Sequence, residues 1–215
     1  MNKYILLFFI PLFLSCTKQS FQVGDIFFQD LDCGPPCQAI EAVTSGYQGS
    51  QLSHCAIITS IGTSNHDTIL TEAIGETVTQ TTLHDFLNRS NKVFVGRLKN
   101  EYQYMIPDAI KYIQTDLNGK PYDYIFDIND DTYYCSEIIY EGLQVADSTQ
   151  QIMQLNPMTF NEPGTENPFV HWVDYYDELN HKIPEGELGL NPGGMSRSEG
   201  LEIIYMFEKP SGYIN

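Results

Sequence analysis

A thiol at Cys135, an imidazole at His54 and a carboxylate at Glu72 could together run nucleophilic chemistry on a carbonyl. Cys135 sits in Tyr133-Tyr134-Cys135-Ser136-Glu137-Ile138-Ile139-Tyr140, where an amphipathic helix is predicted to begin at the thiol, with Ile138, Ile139 and Leu143 on its inner side. A cysteine in the first turn of a helix feels the positive end of the backbone dipole, and unpaired N–H groups there stabilise a thiolate. A buried structural cysteine can occupy the same place, and taken alone that is the commoner case. The balance shifts because a histidine and an acid stand upstream, each on its own predicted strand.

A thiol nucleophile needs a base to take its proton and a third group to orient that base. His54 opens the predicted strand Ser53–Ile61, whose Ala56-Ile57-Ile58 run reads as a central strand. Glu72 ends the predicted apolar strand Asp67–Ala73, expected beside the first. A carboxylate accepting the far ring N–H would fix the tautomer and favour the imidazolium, which in turn stabilises the thiolate. The competing readings are a structurally satisfied histidine and an outward-facing strand charge. Other histidines fit less well: His66 lies in a polar turn, His84 on a predicted surface helix and His181 in a loop-rich region. His171, beside Trp172 and Tyr175-Tyr176, could line a cleft and bind substrate with Trp172.

Composition bounds the partners. The 215 residues fit one domain with a full core, and 42% hydrophobic and 13% aromatic content argues against disorder. A formal net charge of −17 argues against nucleic-acid binding and against electrostatic docking on anionic lipid. Residues 1–16 read as an export signal: Asn2-Lys3, an apolar run from Tyr4 to Leu14, then Ser15-Cys16. That run falls short of the roughly 20 residues a spanning helix needs. Leu14-Ser15-Cys16 resembles a bacterial lipobox, which implies lipidation of Cys16, a membrane anchor and an envelope location, periplasmic or outer-membrane facing. Thr17 to Gln22 is the expected tether.

Cys33 and Cys37 flank Gly34-Pro35-Pro36, a spacing open to a local disulfide; no second Cys/His pair supports metal binding. Cys55 reads as core packing, which leaves Cys135 as the unpaired thiol. Further expected elements are a turn and strand over Val23–Gln29, helices over Cys37–Ser45, Thr82–Arg89 and Pro107–Leu117, and strands over Val93–Leu98 and Leu201–Glu208. Gly75–Thr79 is taken as a continuation of the Glu72 strand. Asp123, Asp127, Asp130 and Asp131 lack the Gly and terminal Glu of a calcium loop and read as a solvated acidic loop. Residues 147–200 form a proline-punctuated, loop-rich flap. The element order predicts an α+β fold with a mainly antiparallel sheet packed on helices.

The segments resemble the NlpC-type papain-like cysteine hydrolases of the cell wall, in circularly permuted order. In the unpermuted family a Gly-x-Pro-Tyr segment and an Asp-Cys-Ser-Gly nucleophile motif come first, followed by Gly-Asp, His-Val-Gly-Ile and third-residue strands. Here Gly24-Asp25, His54-Cys55-Ala56-Ile57 and Thr71-Glu72-Ala73 precede Gly119-Lys120-Pro121-Tyr122 and Tyr134-Cys135-Ser136-Glu137. Eighteen residues separate His54 from Glu72, and thirteen separate Tyr122 from Cys135. This is the order of the YiiX-like permuted branch. Glu137 in place of the motif glycine also matches that branch better and counts against a peptidoglycan substrate.

The resemblance implies a single permuted papain-like domain over 17–215. Cys135 would be its nucleophile, His54 its base, Glu72 the orienting residue and Tyr122 an oxyanion donor. The expected reaction is hydrolysis of a peptide, isopeptide or N-acyl amide through an acyl-enzyme, on a small peptide or acyl-amide substrate, without metal or organic cofactor. Two rival readings remain: acyl transfer or esterolysis on lipids, as in lecithin–retinol acyltransferase-like proteins, and a binding module that kept the cleft but lost the chemistry.

Overall fold

The computed structural model describes residues 20–149 and 152–215, so the expected lipidation site at Cys16 lies outside the described residues. In chain order the main elements are β1 (Ile26–Gln29), α1 (Pro35–Val43), β2 (His54–Ser60), β3 (Ile69–Ile74), β4 (Thr77–Thr82), α2 (Leu83–Arg89) and β5 (Val93–Leu98). They continue with α3 (Ile106–Tyr112), α4 (Cys135–Ala146), β6 (Asn156–Pro157), α5 (Val170–Glu178), β7 (Leu188–Gly189), α6 (Pro192–Met195) and β8 (Leu201–Met206). Six strands make one sheet in the order β4-β3-β2-β1-β5-β8, every neighbouring pair antiparallel. β6 and β7 form a separate ribbon.

The sheet is buried on both faces at its centre, which is why β1 and β2 read as continuous apolar runs. Alternation sends Ile26, Phe28, Cys55 and Ile57 into the larger core with Ile138 and Ile139 of α4. Phe27, Ala56, Ile58 and Leu70 go the other way, onto Leu83 and Phe86 of α2. α2 follows β4 without a loop because the Thr82 hydroxyl caps it, accepting the Asp85 N–H at 3.0 Å. α4 lies close to the end of α3 because Gly142 faces it: a Cβ there would sit 2.8 Å from Ile113 Cδ1.

Several expectations need correction. Gly75–Thr79 does not extend β3; the chain reverses at Gly75 (φ +64°) and returns as β4 in register with it. The helix predicted to begin at Pro107 begins at Ile106, and its last turn widens into a π-turn over Ile113–Leu117 before Gly119 (φ +85°) stops it. The acidic loop is not uniformly solvated. Asp123 is buried, and its carboxylate accepts the N–H groups of Ile125, Phe126 and Asp127 at 2.7, 2.8 and 2.7 Å. Burial outweighs those hydrogen bonds and pushes its pKa up to about 6.

Cys33 and Cys37 are joined by a disulfide at the start of α1, with Cα atoms 5.4 Å apart. α5 packs Trp172 and Tyr176 against Ala39 of α1 and Phe160, a cluster separate from the two cores on the sheet.

Candidate active site

α4 begins at the thiol because Tyr134, its N-cap, is extended (φ −100°, ψ 171°) while Cys135 is already helical. The Tyr134 N–H donates to Glu137 Oε2 at 3.2 Å, and the Ser136 hydroxyl donates to the Leu190 carbonyl at 3.0 Å. These bonds tie the first turn to itself and to the segment before α6. Glu137 is buried, and burial pushes its pKa up to about 9. It therefore carries a proton at neutral pH, so no second fixed anion crowds the thiol at the helix start.

His54, the first residue of β2, sits at the end of the sheet. Its Nε2–H donates to Glu72 Oε2 at 2.6 Å, and its ring also hydrogen-bonds the Cys135 sulfur. Nδ1 is thus the nitrogen left for the thiol. Glu72 is fully buried and clamped from its other side by Arg89 Nη2, 2.8 and 2.7 Å from its two oxygens. Phe86, one turn before Arg89 on α2, stacks on the His54 ring with centroids 6.0 Å apart, and the Arg89 guanidinium lies 5.1 Å from the centroid of the Phe86 ring. Burial alone would raise the Glu72 pKa; the bond to His54 and the charges of His54 and Arg89 overcome it and hold it at about 2. For His54 burial opposes the charged form, yet the hydrogen bonds and charges of Cys135 and Glu72 push it up to about 9.

The thiol completes an ion pair. Its pKa lies well below the ordinary cysteine range, first because the Cys55 S–H donates to it, against burial, and further because of His54 and the Cys55 backbone N–H. Cys55 is therefore more than packing: its own thiol is held neutral, by burial and by the neighbouring thiolate. We expect iodoacetamide to alkylate Cys135 well into the acid range, with a further break in the rate profile near pH 9, where His54 loses its proton. Cys55→Ala removes one donor to a charged acceptor, so the acid limb of the alkylation profile should move to higher pH. An unchanged acid limb would show that Cys55 only fills space.

Tyr122, held by its N–H to the Glu76 carbonyl at 2.8 Å, lines the same cavity as Cys135 and His54. Burial, followed by the Cys135 charge, raises its pKa well above the ordinary tyrosine value, so its hydroxyl stays a donor. The cavity encloses about 1320 Å³ and takes Trp172 into its wall. His171 instead lies against the Trp172 and Tyr175 rings and is not among the cavity-lining residues. Sequence reading thus brought Cys135, His54, Glu72 and Tyr122 to one place and missed Arg89 and the contact of Cys55. Strand alternation beside His54 could have turned Cys55 toward α4; nothing in the sequence marks Arg89 as the partner of an acid on another element.

No curated protein matches the chain. Among solved structures it is similar to one titled "Crystal structure of metalloprotein yiiX from Escherichia coli O157:H7, DUF1105", at 26% identity and a TM-score of 0.65, over 88% of this chain and 98% of that one. Among the described residues here, no group of three or more His, Cys, Asp or Glu is placed to hold a metal ion, so no step is derived through one. Residues 20–205 match the family described as a permuted papain-like amidase enzyme, YaeF/YiiX, C92 family. The chain belongs to that family, the permuted papain-like amidases.

Proposed function

We propose that the protein is a cysteine amidase working through a Cys135-His54-Glu72 triad and a thioester intermediate. The observation that carries this is the His54 ring, which joins the Cys135 sulfur to a buried carboxylate that Arg89 keeps ionised. The thiolate attacks the amide carbonyl carbon, and the carbonyl electrons move onto oxygen. The Cys135 backbone N–H and the Tyr122 hydroxyl stabilise that oxyanion. As it collapses the C–N bond breaks, its electron pair stays on nitrogen, and His54 supplies the proton that releases the amine. His54, now neutral, takes a proton from water; hydroxide attacks the thioester, and the acid and the thiolate are restored. Glu72 and Arg89 position the ring and act only through it.

The proposal includes export and lipidation at Cys16, which would hold the enzyme at a membrane of the cell envelope; the Leu14-Ser15-Cys16 sequence supports it. Brief incubation with an activated acyl ester followed by mass spectrometry of the intact chain tests the chemical core. One acyl group should appear, mapped to the Cys135 peptide and lost on longer incubation. An adduct at another residue, or none, would sink the triad reading. Release of fatty acid from phospholipid vesicles, with no cleavage of any amide, would select the lipid alternative.

A further inference from the structure

The two ends of the cavity differ in chemistry and fall on opposite sides of His54 in the sheet. On the β3–β4 side the Tyr175 hydroxyl donates to the Tyr124 carbonyl at 2.6 Å, and the Tyr124 hydroxyl donates to the Gly75 carbonyl at 2.8 Å. This end is walled by rings, with Phe126, Phe160 and Trp172 packed edge-to-face beside them. The other end is the turn from α6 into β8, where the Gly200 carbonyl accepts the Lys99 N–H at 2.9 Å beyond the end of β5. β8 and β4 are the two edges of the sheet, and β2 with His54 lies between them.

Arg197 stands in that turn, exposed, and is the sole Lys or Arg among the described residues that line the cavity. The other described arginines are committed, Arg89 to Glu72 and Arg97 to Asp25. Arg197 has no ion-pair partner among the described residues, although the chain carries 28 acidic side chains against 11 basic ones. Glu199 shares the rim without pairing with it. An acidic protein repels anionic ligands at range, so an unpaired guanidinium at the mouth of its cleft is the local group able to reverse that preference.

We propose that the substrate is an N-acyl amino acid, or a short acyl-peptide with a free carboxylate: the apolar acyl group against the Trp172 end, the carboxylate on Arg197. The assignment rests on the amidase reading and adds the direction of binding. The acyl side stays on Cys135, and the leaving amine carries the carboxylate away. The volume of about 1320 Å³ exceeds the roughly 300–1,000 Å³ of ordinary small-ligand sites and leaves room for both parts.

Calorimetric titration of the full-length Cys135→Ala protein with N-octanoylglycine and with N-octanoylglycinamide tests this apart from turnover. The carboxylate should bind roughly tenfold tighter than the carboxamide. Adding Arg197→Gln should erase the preference, Arg197→Lys should keep part of it, and Glu199→Gln should enlarge it. Lys209→Gln, remote from the cavity, controls for net charge. Equal affinity for the two ligands, a preference that survives Arg197→Gln, or no binding of either would overturn the assignment. Wild-type cleavage of the same compounds is a separate readout: binding with the Arg197 signature but no cleavage would count against the triad and leave the carboxylate site standing.

Discussion

Cys135→Ala should abolish amide hydrolysis, lowering kcat by about 10,000-fold or more, as loss of a nucleophile does where triad members act as one unit. In the proposed mechanism, removing the sulfur deletes the attacking atom and also the anion that helps keep His54 charged. Substrate affinity should change little, because the cavity wall is supplied by other elements. The variant should remain folded, since a small side chain is removed from a site that opens into a cavity. Steady-state kinetics beside a thermal melt separates the two effects. Activity equal to wild type would remove Cys135 from the mechanism; a matching loss in melting temperature would assign the effect to folding instead.

The second large effect is expected at Glu72. Glu72→Ala leaves Arg89 without its buried partner and strips the carboxylate from His54, and breaking a buried pair in this way costs about 3–5 kcal/mol. For a chain of this size that is a melting-temperature drop of about 10 °C. Activity should fall at least about 100-fold as the ring loses orientation and charge. Combining Glu72→Ala with Arg89→Ala should recover part of the stability and none of the activity. Additive losses in the double variant would mean that the two side chains do not share a network.

The pH dependence of stability follows with a definite sign. Glu72 has its folded pKa depressed to about 2, so its contribution is present above the ordinary carboxylate value of 4.5 and is lost as pH falls toward 2. Glu137 and His54 are both raised to about 9. Each favours the folded chain fully below its unfolded pKa, 4.5 for Glu137 and 6.5 for His54, and loses that contribution as pH rises through the folded value. Stability should therefore peak on the mildly acid side and decline through neutrality. Melting temperatures across pH 3–9 check this; Glu72→Gln should flatten the acid limb and, because the carboxylate also supports the charge on His54, soften the alkaline one.

Much of this was legible from residues. The apolar run of β2 marked a central strand because both faces are buried, and Ile138, Ile139 and Leu143 set the inner face of α4. What periodicity could not show was the β3–β4 reversal, where only a two-residue turn separates the apolar β3 from the threonine-rich β4. Nor could it show the burial of Asp123, whose carboxylate is satisfied by the N–H groups of its own loop and so leaves no trace in composition. Cys135, His54 and Glu72 stood out as candidates because each sits in a distinctive local motif. Arg89 did not, because an ion pair between a strand and the helix one hairpin later depends on the third dimension alone.

The order of elements along the chain carries a consequence for biosynthesis. His54, Glu72 and Arg89 all belong to the antiparallel stretch β2–β3–β4–α2, whose contacts are close in sequence. Chains emerge amino terminus first, and near-neighbour contacts are the fastest to form. The imidazole and its charged backing can therefore assemble while Cys135 is still unmade or undocked. Until α4 seats against β2, that cysteine is an ordinary thiol, mostly protonated at neutral pH. On the proposed mechanism, permutation thus makes the reactive sulfur a product of tertiary docking, and a nascent chain would carry no nucleophile until the pocket that governs it has closed around it.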